Sequence, residues 1–290
     1  MSEKLSTKSY AKINLFFEAL NEREDGYCNV RTVMQTISLY DDLTLEFAKD
    51  EAADEFILDS PFDGIPTDER NIVIKALKKF REVSGIDNKY KITLKKRIPT
   101  EAGLSGGSSN AANILLLLNK IECAPLSFAQ LEEISASLGS DVNFHLYRGL
   151  AICTSRGEVI RNLPPLEFDA NLYVIKPKSN VSTANAYSEL KKRLQGEKKN
   201  INFRFFEDLG YRLKPECLVF NIHNDFESVV LTDKSEILSI KKKIEDLPID
   251  KVWMTGSGSS LIIISTGDIE EILKEIFPDE FLGRFELINN

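Results

Sequence analysis

Histidine, tryptophan and cysteine are scarce in this chain of 290 residues: two histidines, one tryptophan and four cysteines. Cys28, Cys123, Cys153 and Cys217 are widely spaced and form no Cys-x-x-Cys pair, and only His145 and His223 could add imidazole. That supply excludes a structural zinc site and a disulfide scaffold, so both histidines read as structural residues and Cys28 and Cys153 as packing residues. Positive charge is also short. A net charge of -8 opposes a nucleic-acid-binding role, because a phosphate backbone demands a basic surface. Long apolar runs are missing: Ile114–Leu118 and Leu261–Ile264 are too short to span a bilayer, and the first residues hold no apolar signal-peptide core. The expectation is a cytoplasmic protein without membrane or nucleic-acid partners. Its hydrophobic content of 42% and charged content of 28% fit a globular chain large enough for two domains.

What the chain does have is a glycine- and serine-rich segment, Ile98-Pro-Thr-Glu-Ala-Gly-Leu-Ser-Gly-Gly-Ser-Ser-Asn110, running into an apolar helical pattern. Gly103, Gly106 and Gly107 permit a tight turn and close approach of backbone to a ligand, and the amides and positive dipole end of the next helix favour phosphate. Ser108, Ser109 and Asn110 can cap that helix or donate to phosphate. No Gly-Lys-Ser/Thr follows, so the segment is not a Walker A loop, and the dinucleotide Gly-x-Gly-x-x-Gly is absent. A capped loop of small residues is the plainer alternative.

Around it, residues 8–20 alternate as a strand with Ile13, Leu15, Phe17 and Ala19 on one face and Lys12, Asn14, Phe16 and Glu18 on the other. Val30–Phe47 reads as strand, Asn71–Glu82 as helix, Tyr90–Leu94 as strand, and about Ser109–Ile121 as the loop helix. Ser127 and Gln130 predict a capping box opening another helix, which Gly139 ends. A strand region follows over Leu150–Ile160, and the prolines within Leu163–Asp169 mark a boundary between domains 1–163 and 164–290. The second domain shows strand at Ala170–Ile175, a charged helical stretch over Tyr187–Lys199, helix at Ser235–Leu247, strands Lys251–Thr255 and Leu261–Ser265 around a Gly256-Ser257-Gly258 turn, and helix at Ile269–Ile276. That alternation predicts an open sheet with helices on one face, hence an α+β protein.

Lys12 and Asn14 share a strand face about 7 Å apart and can address one substrate; a solvated lysine on an edge strand is the alternative. Asp141 follows the terminating Gly139 and precedes apolar Val142, where one helix ends and the next element begins and where a helix-capping Asp would also sit. Lys95, Lys96 and Arg97 form a basic run of the kind that usually makes a solvated face, yet they directly precede the glycine loop.

Read together, Ala11-Lys-Ile-Asn-Leu-Phe16, Asp25-Gly-Tyr27, Thr32–Ile37, the glycine loop, Leu138-Gly-Ser-Asp-Val142, Arg156-Gly-Glu158, Asn224-Asp-Phe-Glu227 and Met254-Thr-Gly-Ser-Gly258 resemble the GHMP kinase superfamily over nearly the whole chain. Within it they resemble the family acting on 4-diphosphocytidyl-2-C-methyl-D-erythritol. The resemblance implies a two-domain GHMP kinase fold, with a ribosomal protein S5 domain 2-like N-terminal ATP-binding domain and a ferredoxin-like C-terminal domain. It implies transfer of the ATP γ-phosphoryl group to a substrate hydroxyl, with Asp141 as general base and Lys12 orienting it and stabilising developing charge. ATP phosphates are expected over Pro99, Ala102, Gly103, Leu104, Ser105, Gly106, Gly107, Ser108 and Ser109, and adenosine near Asn71 and Lys96. Mg²⁺ is expected to arrive with the nucleotide, with Ser109 as a candidate ligand; the metal ligands are otherwise unassigned.

For the cytidine end, the resemblance implies Tyr27 and Tyr187 as aromatic surfaces, Asn14 and Thr183 as polar contacts, and Gly256, Ser257 and Gly258 near the diphosphate. Half-buried tyrosines and a simple hairpin turn are the plainer readings. Three positions depart from the family pattern. Cys28 stands where histidine is usual, leaving its backbone to read the base, and Ser105 and Ser155 stand where glycine is usual. The partners implied are small molecules, and the protein a monomer or homodimer. Another GHMP small-alcohol kinase and a non-catalytic ligand-binding homologue are the alternatives.

Overall fold

The computed structural model describes residues 4–48, 53–166, 169–194 and 221–289. Cys217 and the last part of the stretch expected as helix over Tyr187–Lys199 lie outside them. The chain forms two compact units: one of residues 1–11, 39–100 and 105–147, the other of residues 12–38, 101–104 and 148–290. Two long strands, β1 (Lys4–Glu22) and β2 (Cys28–Phe47), contribute residues to both.

In the first unit the strand order is β3 (Glu55–Asp59), β4 (Tyr90–Lys95), β2, β1. β4 runs antiparallel to β2, pairing Asp42 with Lys95 and Phe47 with Tyr90, and parallel to β3. The helix α1 (Ile72–Ser84) buries Val73, Ala76, Leu77 and Phe80, the three- and four-residue spacing of one helical face. Its ends are defined chemically: the Asn71 side chain accepts from the Val73 amide, and Gly85 closes the helix at φ 73°, donating to the Arg81 carbonyl. α2 (Gly106–Ile121) is the central helix, with Ile114, Leu115, Leu117 and Leu118 all buried in one core with α1 and the inward residues of β2 and β4. Each such side chain contributes about 1.5–3 kcal/mol by leaving water. α3 (Phe128–Leu138) opens with the expected Ser127/Gln130 capping box and ends at Gly139, and the short α4 (Val142–Tyr147) follows.

In the second unit β2 pairs antiparallel with β5 (Leu150–Ser155), which turns back as β6 (Val159–Asn162); β1 pairs in parallel with the short β8 (His223–Asn224). The expected strand over Leu150–Ile160 is therefore a hairpin, turning at Arg156-Gly157-Glu158. A separate four-stranded antiparallel sheet has the order β11 (Phe281–Phe285), β7 (Asn171–Ile175), β10 (Leu261–Ser265), β9 (Lys251–Met254). The helices α5 (Thr183–Leu194), α6 (Glu227–Asp233), α7 (Ser235–Glu245) and α8 (Glu270–Ile276) belong to this unit. Leu190, Val230, Ile237, Ile244 and Leu273 from these helices join Tyr173, Ile175, Leu261 and Ile263 in a single core.

Candidate active site

In the second unit, β1 brings Lys12 and Asn14 to a buried polar cluster, each no more than 3% exposed. The Lys12 ammonium donates to Asn14 Oδ1 (2.7 Å) and to the Gly103 carbonyl (2.9 Å), and the Lys12 amide donates to the Leu104 carbonyl (3.1 Å). Lys12 is thus no solvated edge residue: it is buried, and both its amide and its ammonium are held at the glycine loop. Asn14 is fully engaged. Its Nδ2 donates to Thr32 Oγ1 (2.8 Å), its amide donates to Thr255 Oγ1 (2.9 Å), and its carbonyl accepts from Trp253 Nε1 (2.8 Å).

The same cluster receives the loop between β9 and β10. Gly103 has φ 74°, and a Cβ there would stand 2.1 Å from the Thr255 carbonyl oxygen; no other residue fits. Gly256, at φ 53°, lies against this point, where a Cβ would meet the Gly103 carbonyl at 3.0 Å and the Lys12 ammonium at 3.2 Å. Asn224 Nδ2 holds the turn by donating to the Met254 (2.6 Å) and Gly256 (2.8 Å) carbonyls, and the Ser260 amide donates to Ala102 O (3.2 Å). Ser257 Oγ meets Thr183 Oγ1, at the start of α5, at 2.9 Å. Lys12, Asn14, Ala102, Gly103, Leu104, Thr183, Gly256 and Ser257 are therefore brought together, and Gly258 completes the turn by donating to the Thr255 carbonyl (3.0 Å).

In the first unit the glycine loop enters α2 three residues earlier than the spacing predicts: the helix begins at Gly106, and Ser105, at φ 59°, precedes it without a side-chain cap. Ser108 is half-buried and Gly107 exposed at the first turn. Ser109 and Asn110 do not cap the helix, because both lie inside it and are buried: Ser9 Oγ donates to Ser109 Oγ (2.8 Å), and Asn110 Nδ2 donates to Ser9 Oγ (3.0 Å). Pro99 is buried. The basic run splits: Lys95 and Arg97 are exposed, whereas Lys96 is buried and ion-paired with Asp41. Asn71 is the α1 cap, its Nδ2 donating to the Pro66 carbonyl (2.7 Å). Asp141 is half-buried in the turn directly before α4.

The residues expected at the cytidine end divide. Tyr27 is 52% exposed at the tip of the β1–β2 connection, with the Arg156 guanidinium 5.0 Å from its ring centroid. Its loop is tied down: the Tyr27 amide donates to Asp25 Oδ1 (3.1 Å), and the Lys191 ammonium on α5 donates to the Gly26 carbonyl. Tyr187 packs edge-on to Phe226, ring centroids 4.9 Å apart. The Cys28 thiol lies in the apolar core, and burial pushes its pKa up, against the opposing charge of Lys191.

The described residues contain no group of three or more His, Cys, Asp or Glu able to hold a metal ion.

Residues 71–150 match the family described as GHMP kinases N terminal domain. Over 98% of its length the chain is 33% identical to the chloroplastic/chromoplastic 4-diphosphocytidyl-2-C-methyl-D-erythritol kinase of Solanum lycopersicum, covering 71% of that protein. It is 34% identical to the 4-diphosphocytidyl-2-C-methyl-D-erythritol kinase of Protochlamydia amoebophila, covering 95% of this chain and 89% of that one. The chain belongs to this family of GHMP kinases. A crystal structure of 4-(cytidine 5'-diphospho)-2C-methyl-D-erythritol kinase superposes with a TM-score of 0.77 at 26% identity, covering 99% of this chain and all of that one.

As a GHMP kinase the chain carries two departures from the family pattern that share one backbone explanation. Ser105 and Ser155 both adopt left-handed backbone, at φ 59° and 64°, the conformation in which glycine is unstrained. Each serine hydroxyl has taken a partner: Ser105 Oγ meets His145 Nε2 at 3.1 Å, while Ser155 Oγ accepts from Arg23 (3.0 Å) and donates to Glu158 (2.9 Å). Thr32, Thr255, Trp253 and Asn224, which build the Lys12 cluster of this kinase, were not singled out by sequence. Three of them sit inside quoted motifs, and the lone tryptophan was the available signal for the fourth.

Proposed function

We propose that this GHMP kinase transfers the γ-phosphoryl group of ATP to a hydroxyl of 4-diphosphocytidyl-2-C-methyl-D-erythritol, giving the 2-phosphate, in the methylerythritol phosphate route to isoprenoid precursors. The observation that carries the reading is the buried ammonium of Lys12 seated on the Gly103 carbonyl beside Asn14 and the Gly256 turn, in a chain of this family.

In the reaction the substrate hydroxyl oxygen bonds to the γ-phosphorus, the bond from that phosphorus to the ADP oxygen breaks, and the hydroxyl proton passes to the Asp141 carboxylate. Lys12 supplies fixed positive charge, which costs no reorganisation as charge develops on the transferred group. Phosphoryl transfer needs little covalent chemistry from the protein, so positioning and electrostatics carry most of the catalysis. The nucleotide phosphates are assigned to the segment Pro99–Ser109, adenosine to the region of Asn71 and Lys96, and Mg²⁺ to the incoming nucleotide. The cytosine ring is assigned to Tyr27 and Tyr187 with Asn14 and Thr183, and the substrate diphosphate to Gly256–Gly258. The backbone of residue 28 replaces the usual imidazole in reading the base.

We also propose residues 1–163 as the ATP-binding domain, 164–290 as the C-terminal domain, and a cytoplasmic monomer or homodimer. Among the described residues no helix is long and apolar enough to cross a membrane. Phosphorus NMR of the product tests the reading: a new monoester on the C2 hydroxyl supports it, and phosphorylation only of homoserine, mevalonate or another small alcohol replaces the acceptor.

A further inference from the structure

Asp41, on β2, is wholly buried, yet the mechanism above does not use it. Its Oδ1 accepts the amides of Arg97 (2.7 Å) and Ile98 (2.9 Å), the residues that lead out of β4 into the glycine loop. Its Oδ2 accepts from the Lys96 ammonium and from Asn110 Nδ2 (2.9 Å), in the first turns of α2. Asn110 in turn accepts from Lys96 (3.2 Å) and donates to Ser9, whose hydroxyl reaches Ser109. Gly106, the first residue of α2, rests directly on this network: a Cβ there would stand 3.1 Å from the Lys96 ammonium and 2.9 Å from Ile98 Cγ2. One carboxylate therefore bonds both the entry of the glycine loop and the helix that the loop opens.

We infer that Asp41 is a positioning residue for the nucleotide-phosphate loop, acting with Lys96, Asn110 and Ser9 as a buried clamp on both ends of the Arg97–Asn110 segment. The inference rests on the reading of that segment as the ATP phosphate cradle, and it gives Lys96 a role through the loop, by its bond to Asp41. An apolar pair would fill the same space without the cost of taking two charges out of water, and burial indeed pushes the Lys96 pKa down against the opposing charge of Asp41. What the ion pair supplies that an apolar pair cannot is four directed acceptor contacts, two of them to backbone amides outside any strand or helix. Fixing those amides fixes the path of the loop, and misplacement of a bound group by about 1 Å can cost of order 100-fold in rate.

The test is Asp41→Asn in the full-length protein. A carboxamide offers one acceptor oxygen, so its NH₂ must face either the Lys96 ammonium or the Arg97 and Ile98 amides. The expected result is a rise of about tenfold in KM for ATP and in the Kd of ADP, with KM for the alcohol substrate within about twofold of wild type. Hydrogen exchange at the Arg97 and Ile98 amides should also accelerate. A folded variant with unchanged ADP affinity, or with ATP and alcohol parameters lost equally, would overturn the clamp. If Asp41→Asn does not fold, Ser9→Ala replaces it. Removing that hydroxyl should raise the ADP Kd by about threefold, and no change would overturn the clamp equally. Wild-type protein that binds ADP but does not phosphorylate the proposed alcohol would sink the acceptor assignment alone, because the ADP titrations still judge the clamp; wild type that binds no adenine nucleotide would sink both.

Discussion

Lys12 and Asp141 are read from motif resemblance, and the structure adds to the first an environment that the sequence does not describe. A lysine on an alternating strand looks like a solvated side chain until the strand has neighbours on both edges. Once the Gly103–Leu104 segment lies along β1 at Lys12, the ammonium has to find oxygen acceptors, and it finds Asn14 and the Gly103 carbonyl. Asp141→Asn removes the proposed proton acceptor while keeping the shape of the side chain. Turnover should fall by about 10²- to 10⁴-fold with ADP affinity preserved, as read by steady-state kinetics beside calorimetric ADP titration.

The thiols separate by the same logic of burial. Cys28 is packed in the core with its pKa raised, whereas Cys123 is exposed. Folded protein therefore holds the Cys28 proton more tightly than unfolded protein does. The stability this lends is present below the ordinary thiol pKa and is lost as pH rises through the raised folded value. Iodoacetamide at about pH 8 should modify Cys123 well before Cys28, as peptide mass mapping would show. Early labelling of Cys28 would place its sulfur at the surface, where it could meet the base directly.

At the scale of the element, the helices with chemical punctuation were the most legible. Ser127, Gln130 and Gly139 bracketed α3 as expected, and the periodicity of Ile72, Ala76, Leu77 and Phe80 located α1, although the buried face takes Val73 in place of Ile72. The strand Leu261–Ser265 matched its apolar run residue for residue. Where elements were missed, the local signal was weak or belonged to a partner. β3 and β11 are short strands whose residues are mostly half-buried or exposed, so neither shows a clear alternation. α4 is a six-residue helix whose Val142-Asn-Phe-His-Leu-Tyr147 sequence alternates apolar and polar residues instead of showing a helical period, and β5 and β6 looked like one strand because Arg156-Gly-Glu158 is a small break. α2 starts at Gly106 against its weak glycine propensity because its first turn is packed on Ile98 and Lys96, a tertiary effect that spacing cannot register.

The Asn71 cap was legible only as a site residue, since an N-cap and a ligand contact use the same amide. Asn71→Ala should cost about 1 kcal/mol through the lost bond to the Val73 amide, a fall of roughly 2–4 °C in melting temperature by calorimetry. An unchanged melting temperature would mean that the cap is not what holds this helix start.

For the molecule as a whole, composition bounded the problem by exclusion, and the ordered set of motifs carried the family. Net charge, scarce histidine and scattered cysteines left an acidic globular chain with no zinc scaffold in view, which is compatible with many enzymes. The glycine loop alone left a capped turn and a phosphate cradle equally open, each tyrosine a half-buried surface residue and an aromatic platform, while Lys12 and Asp141 taken singly read first as a solvated edge lysine and a helix cap. Their order along the chain distinguished the readings, and relatives that match over nearly the whole length agree with it. Side-chain partners remained illegible throughout: no spacing rule links Asp41 to Ile98, or Asn14 to Trp253 across most of the sequence, because those contacts exist only after the strands have paired.

The most direct test of the proposed activity is ADP release by the purified protein given Mg-ATP with and without 4-diphosphocytidyl-2-C-methyl-D-erythritol. The account predicts rapid release that depends on the alcohol and saturates with it, with Cys28 in place of the usual histidine. Folded protein that binds ATP yet releases no more ADP with this alcohol than without it would contradict the assigned acceptor.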